Sequence, residues 1–181
     1  MKELLLKILK WKLRLLAKFT LRRYKPRVIG ITGSVGKTST KEAIRTVLGS
    51  EKRVRASLKS FNNELGLPFT ILGNWELEHG PFFWLKVIFV GFLQVLIKNP
   101  RYPQILILEY GVDRPGDIKY LLDIARPEVG VITAMGDIPV HVEFFDGPEG
   151  VLREKSKLVS QLPATGFAIL NADEPEILEI K

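Results

Sequence analysis

Residues 27–40 read RVIGITGSVGKTST. The β-branched run Arg27–Ile31 predicts a short strand, and from Lys37 to about Leu48 the apolar residues recur at helical spacing. Between them lies a turn, Thr32-Gly33-Ser34-Val35-Gly36, that delivers Lys37 and Thr38 to the first turn of the helix. Strand, glycine-rich turn, then Lys-Thr opening a helix is the context a phosphate-binding loop requires. Glycines let backbone N–H groups come close to phosphate oxygens, and the helix N-terminus adds a favourable potential. Lys37 is placed for β- and γ-phosphates, and the Thr38 hydroxyl for Mg²⁺. Gly33, Ser34, Val35, Gly36, Lys37, Thr38 and Ser39 are therefore candidate ATP contacts. The longer GxxxxGK[ST] string is absent, because Ile31 stands at its first glycine position; the form here is GxxGKT.

Downstream, strands alternate with helices. Val54–Leu58 fits a second short strand, and Phe61-Asn62-Asn63-Glu64-Leu65-Gly66-Leu67-Pro68 a turn leading into a brief apolar segment. Gln104–Leu108 (QILIL) reads as a fully buried strand of the parallel-sheet kind, ending in Glu109-Tyr110-Gly111. A carboxylate at the carboxyl end of such a strand sits where parallel sheets bind ligands. A short helix over Asp117–Ala125, a strand over Val129–Thr133 and the loop Gly136-Asp137-Ile138-Pro139-Val140-His141 come next. A helix over Pro148–Leu162 carries Glu154, Lys155 and Lys157, and a last strand, Phe167–Leu170, runs into Asn171-Ala172-Asp173. The pattern predicts a doubly wound α/β domain with a mainly parallel sheet.

The chain has 181 residues, enough for one domain and a short appendage. With no cysteine it has no disulfide framework, thiolate zinc site or cysteine nucleophile, and two histidines, His79 and His141, leave little room for a multi-histidine cage. The net charge of +7 sits in one place: residues 1–27 hold ten Lys/Arg against Glu3, while the remainder carries 17 basic and 19 acidic residues. A nearly neutral body argues against nucleic acid as a partner. Residues 2–23 contain neither Gly nor Pro and predict a helix. Lys7, Lys10, Arg14 and Lys18 form one stripe, and Leu4, Ile8, Trp11, Leu15 and Phe19 another, widened by Leu5, Leu9 and Leu16. No uncharged run there reaches the roughly 17 residues needed to span a bilayer. A basic amphipathic helix over 1–26, with residues 1–24 against an anionic membrane surface, fits this pattern; a helix packed on its own domain with a solvated basic face is the alternative. Residues 82–97 (FFWLKVIFVGFLQVLI) are also too short and too polar for a comfortable span, and read as a buried or a second interfacial helix.

Taken in order, TGSVGKTSTKE, FNNELGLP, LEYGVDRPGDI, the His141 loop, EKSKL and LNADE resemble the Mur ligase family. The resemblance covers about residues 28–175, the central ATP-binding domain, so that 27–181 is expected to be that domain, incomplete at its C-terminus and carrying a hydrophobic insertion at about 75–102. It implies an ATP-dependent ligase of peptidoglycan precursor synthesis. In such a ligase a carboxylate of a UDP-N-acetylmuramoyl-peptide is activated as an acyl phosphate, which the amine of D-alanyl-D-alanine then attacks. Carried over by position, Lys37 holds ATP phosphates, Thr38 and Glu109 ligate a first Mg²⁺, and His141 ligates a second. Lys155 matches a lysine that the family carbamylates, which turns a cation into an anionic metal ligand; Lys37, Lys155 and His141 are thus the implied catalytic set. Asn63 matches an asparagine near the nucleotide, and Asn171 an adenine contact. Two departures stand out: the basic helix occupies the place of the family's uridine-nucleotide domain, and Lys157 replaces an acid two residues after the carbamylated lysine. The expectation is a chain peripheral on the cytoplasmic face of the membrane that binds ATP and Mg²⁺ but does not complete ligation alone. The competing readings are a membrane-associated ATP-binding module without ligase turnover and a different phosphate-loop enzyme, a kinase or ATPase.

Overall fold

The computed structural model describes residues 2–57, 62–75, 80–136 and 141–180. Leu58, Phe61, His79, the Asp137–Val140 stretch and Lys181 lie outside the described residues. Five strands, β1 (Arg27–Thr32), β2 (Val54–Ala56), β3 (Ile105–Glu109), β4 (Val129–Ile132) and β5 (Phe167–Leu170), form one sheet in the order β2-β3-β1-β4-β5. Every ladder is parallel, with Ile29 opposite both Ile107 and Val129. Helices on both faces make this the α/β architecture expected. β1 and β3 each run to the strand-terminal polar residue, Thr32 and Glu109, one position beyond the apolar runs that announce them.

Alternation along β1 and β3 sorts the core onto two faces. Ile31, Ile105 and Ile107 pack with Ile44 and Leu48 of α2 (Lys37–Gly49). On the opposite face Val28, Leu106 and Leu108 meet Ala17, Leu67, Ile71, Leu121 and Leu158. These come from α1 (Lys2–Tyr24), α3 (Gly66–Leu72), α5 (Asp117–Ile124) and α6 (Gly147–Ser160). Such apolar burial on both faces drives the fold at roughly 25 cal/mol per Å².

The N-terminal helix is part of this core. Leu13, Ala17 and Thr20 are fully buried, and Leu9 and Leu16 pack with Phe69, Leu72, Phe83 and Val87 of α3 and α4 (Pro81–Leu96). Much of the predicted basic stripe faces the domain's own acids: Lys10 pairs with Glu64, and Arg14 and Lys18 share Asp123. The second stripe, Leu4, Ile8, Trp11, Leu15 and Phe19, is exposed. Among the described residues no helix is long and apolar enough to cross a membrane.

Candidate active site

Because all strands run the same way, the loops after β1, β3 and β4 meet at one edge of the sheet, where open α/β sheets bind ligands. The loop after β1 is anchored from β4. The Ser34 and Val35 N–H groups donate to Ala134 O at 2.7 and 3.1 Å, and Thr133 Oγ1 donates to Val35 O at 2.7 Å. Gly33 and Gly36 hold φ of 142° and 84°, values that favour glycine. A Cβ at Gly33 would also run into Thr133 Oγ1. Gly36 is the N-cap of α2 and has no side chain to close off its first turn, so the positive end of the helix stays open to an anion.

Three ionisable side chains converge on this loop. Lys37 Nζ donates to Gly33 O at 2.7 Å and Ser34 O at 3.2 Å, so the ammonium is folded back on the loop's own carbonyls. Lys155 Nζ, on α6, reaches across to donate to Ser34 Oγ at 2.9 Å. Glu109, at the end of β3, is buried. Burial pulls the Lys37 ammonium below its ordinary lysine value, and the field of Glu109 opposes that pull. Lys155 is pushed down to about 8, first by burial and second by the Lys37 charge. The neutral amine fraction of Lys155 near neutrality thereby rises by a factor on the order of a hundred over an ordinary lysine.

Glu109 has a partner that its sequence context did not announce. Lys41 Nζ lies 2.8 Å from Glu109 Oε1, and both side chains are fully buried; Lys41 also donates to Ser57 Oγ at 3.3 Å. Lys41 occupies Oε1, and among the described residues Oε2 has no hydrogen-bond partner. A buried carboxylate with acceptor capacity left over suits a hard cation, which takes oxygen ligands. No group of three or more His, Cys, Asp or Glu among the described residues could hold a metal. A divalent cation here would be held by one carboxylate and a hydroxyl together with substrate oxygens, the usual Mg²⁺ arrangement. The i, i+4 spacing of Lys37 and Lys41 on one helix face was the signal available for Lys41.

The remaining predicted residues are placed less centrally. Thr38 and Ser39 are exposed on the first turn of α2. His141 has a left-handed backbone (φ 67°), and its Nε2 is 3.3 Å from Asp113 Oδ1; no described contact joins it to Lys155. Both His141 and Asn63 line a cleft of about 740 Å³ beyond β3, with Gly111, Arg114 and Tyr120. The Asn63 Oδ1 is engaged, accepting the Leu65 and Gly66 N–H groups at the start of α3. Asn171 Oδ1 accepts the Asp173 N–H, and the turn it begins lines a pocket of about 380 Å³ with Met135, Gly136 and Glu174. Glu154, named in the sequence only as a charge on its helix, has a structural role. This buried carboxylate accepts the Gly116 and Ile118 N–H groups at the start of α5 and pairs with Lys157 at 2.5 Å.

The family model of the Mur ligase middle domain matches residues 31–79 and 90–181. The chain belongs to the Mur ligase family. The UDP-N-acetylmuramoyl-tripeptide–D-alanyl-D-alanine ligase of Bacillus subtilis is 34% identical over 163 residues, 90% of this chain and 30% of that one. The ligase of the same name from Mycobacterium leprae is 36% identical over 150 residues, 83% and 24% of the two chains. The MurF ligase of Thermotoga maritima, solved in complex with ADP, superposes on this middle domain with a TM-score of 0.72 at 29% identity, covering 94% of this chain and 34% of that one. This Mur ligase chain therefore spans about a quarter to a third of the length of the relatives it matches.

Proposed function

We propose that the loop between β1 and α2 binds Mg-ATP for an ATP-dependent amide ligation in peptidoglycan precursor synthesis. The observation that carries this reading is the convergence of Lys37, Lys155 and the buried, under-coordinated Glu109 on one glycine-rich loop. On binding, the Lys37 ammonium would exchange the Gly33 and Ser34 carbonyls for phosphate oxygens, joined by the loop amides through Ser39. Thr38 and Glu109 would hold Mg²⁺, which neutralises phosphate charge when bound. Asn171, following β5, would contact the adenine, and Asn63 would lie toward the other end of the nucleotide, on the β3 side of β1.

The larger cleft, with His141, Asn63 and Arg114 on its walls, is the place for the acyl substrate. By family resemblance that substrate is a UDP-N-acetylmuramoyl-peptide, and the amine is D-alanyl-D-alanine. The γ-phosphoryl group would pass to the peptide carboxylate, and attack by the amine would then release phosphate and form the amide. Protein groups contribute position and charge in such chemistry rather than a nucleophile. His141 would ligate a second Mg²⁺. The substrates and ATP fit a cytoplasmic reaction, and the exposed apolar stripe of residues 1–24 supports a peripheral position on the inner membrane face.

Lys155 serves this reading as a carbamate. Its neutral Nζ adds to CO₂, an N–C bond forms, and loss of one proton leaves an anion able to ligate a cation. The depressed lysine is the physical prerequisite, since only the unprotonated amine adds. At a fixed CO₂ pressure, ¹³C-labelled carbamate on the protein should grow as pH rises through about 8, and Lys155→Ala should remove the signal. A spectrum unchanged by that substitution would remove Lys155 from the metal site.

A further inference from the structure

We propose that α1 and α4 together form a lipid-docking face, with the aromatic side chains of α4 as an anchor equal in rank to the N-terminal helix. This rests on the reading that residues 1–24 meet an anionic membrane and extends it to a second element. The two helices lie side by side and run in the same direction. Leu9 and Leu13 share a cluster with Phe83 and Val87. Further along, a Cβ on Gly91 would come within 3.3 Å of Leu16. At the far ends Tyr24 Oη donates to Gln94 O at 3.1 Å and Arg23 to Leu96 O at 3.2 Å. Beneath them α3 is buried along its whole length, between β3 on one side and α1 and α4 on the other. The faces of α1 and α4 turned away from α3 therefore look outward on the same side.

Those outward faces are apolar. On α4, Phe82, Leu85, Phe89, Phe92 and Leu96 follow one another at steps of three and four, with Phe82 84% and Phe89 61% exposed. Beside them runs the α1 stripe, in which Leu4 is 63% and Trp11 59% exposed. Two adjacent stripes of this kind exceed the scattered apolar residues of an ordinary surface, and they mark an interaction site. The family model passes over residues 80–89, the half of α4 that supplies Phe82, Leu85 and Phe89.

Charge decides the occupant. Among the described side chains the exposed charged residues of the two helices are Lys7, Lys12, Arg22, Arg23 and Lys86 against Glu3, and Lys98 and Arg101 follow α4. Glu64 and Asp123 are already paired with Lys10, Arg14 and Lys18. A second copy seated on this face would set the basic rims of the two copies against each other. An anionic bilayer supplies both an apolar layer for the Phe, Leu and Trp side chains and headgroups for the basic rim.

The test is co-sedimentation of the 181-residue chain with vesicles of phosphatidylcholine alone or with phosphatidylglycerol added. Binding should require the anionic lipid and weaken as salt is raised. Phe89→Glu and Trp11→Glu, both at exposed positions, should each lower partitioning roughly tenfold or more while the melting curve stays in place. A loss with Trp11→Glu but none with Phe89→Glu would overturn the two-helix face and leave the N-terminal reading standing. Indifference to both variants, or to vesicles altogether, would overturn both. A chain that ignores vesicles but dimerises in sedimentation equilibrium, with Phe89→Glu restoring the monomer, would assign the face to a second copy and overturn the proposal.

Discussion

Lys37→Ala should weaken Mg-ATP binding roughly ten- to a hundredfold, the range expected for one or two charge-assisted hydrogen bonds to phosphate. The same substitution should change folding stability by no more than about 0.5 kcal/mol. Its ammonium is held in a partly buried place that disfavours its charge, and its partners in the free protein are two loop carbonyls that water can satisfy. Calorimetric titration of the variant, beside a thermal melt, separates the two effects. Unchanged affinity would remove the loop from the nucleotide site.

The second large effect concerns the pair below the loop. Glu109→Gln should destabilise the fold by about 3–5 kcal/mol, because it leaves the Lys41 ammonium buried without its carboxylate. Against a domain stability of roughly 5–15 kcal/mol that is a substantial share. Replacing both partners, as Lys41→Met with Glu109→Leu, should recover most of the loss, since an apolar pair of similar volume avoids the desolvation of two charges. Urea denaturation of the two singles and the double gives the coupling directly. A cost below about 1 kcal/mol for Glu109→Gln would mean that Lys41 finds other compensation there. The pair also has a functional sense: Lys41 holds the Glu109 carboxylate at the edge of the sheet where a cation would sit.

The parts of this molecule that the sequence disclosed are those with short, self-contained signals. β1, β3 and β4 are short runs rich in Ile, Val and Leu, and the glycine-rich turn before Lys37 can hardly be anything but a tight loop. What escaped was set by tertiary partners. The segment GLPFTIL carries a proline and spans only seven residues, too little for a helical period to emerge, and α3 forms because every side of it is covered. The N-terminal helix is apolar on two faces, and only the positions of Phe69, Leu72 and Phe83 decide that Leu9, Leu13 and Leu16 turn inward while Trp11 and Phe19 stay out. Removal of residues 1–24 would therefore strip core side chains along with the exposed stripe, which is why single substitutions serve better. Lys41 and Glu154 read as ordinary helix charges until the end of β3 and the start of α5 are seen beside them. His141 and Lys155, joined by resemblance into one metal site, occupy different walls of the same edge, one against Asp113 and the other against Ser34.

The central claim is that this edge of the sheet is a Mg-ATP site. The most direct measurement is a calorimetric titration of ATP into the unmodified 181-residue chain, with and without Mg²⁺. The account predicts saturable one-to-one binding that tightens when Mg²⁺ is present and is displaced by ADP. Absence of saturable binding, or binding indifferent to Mg²⁺, would contradict it.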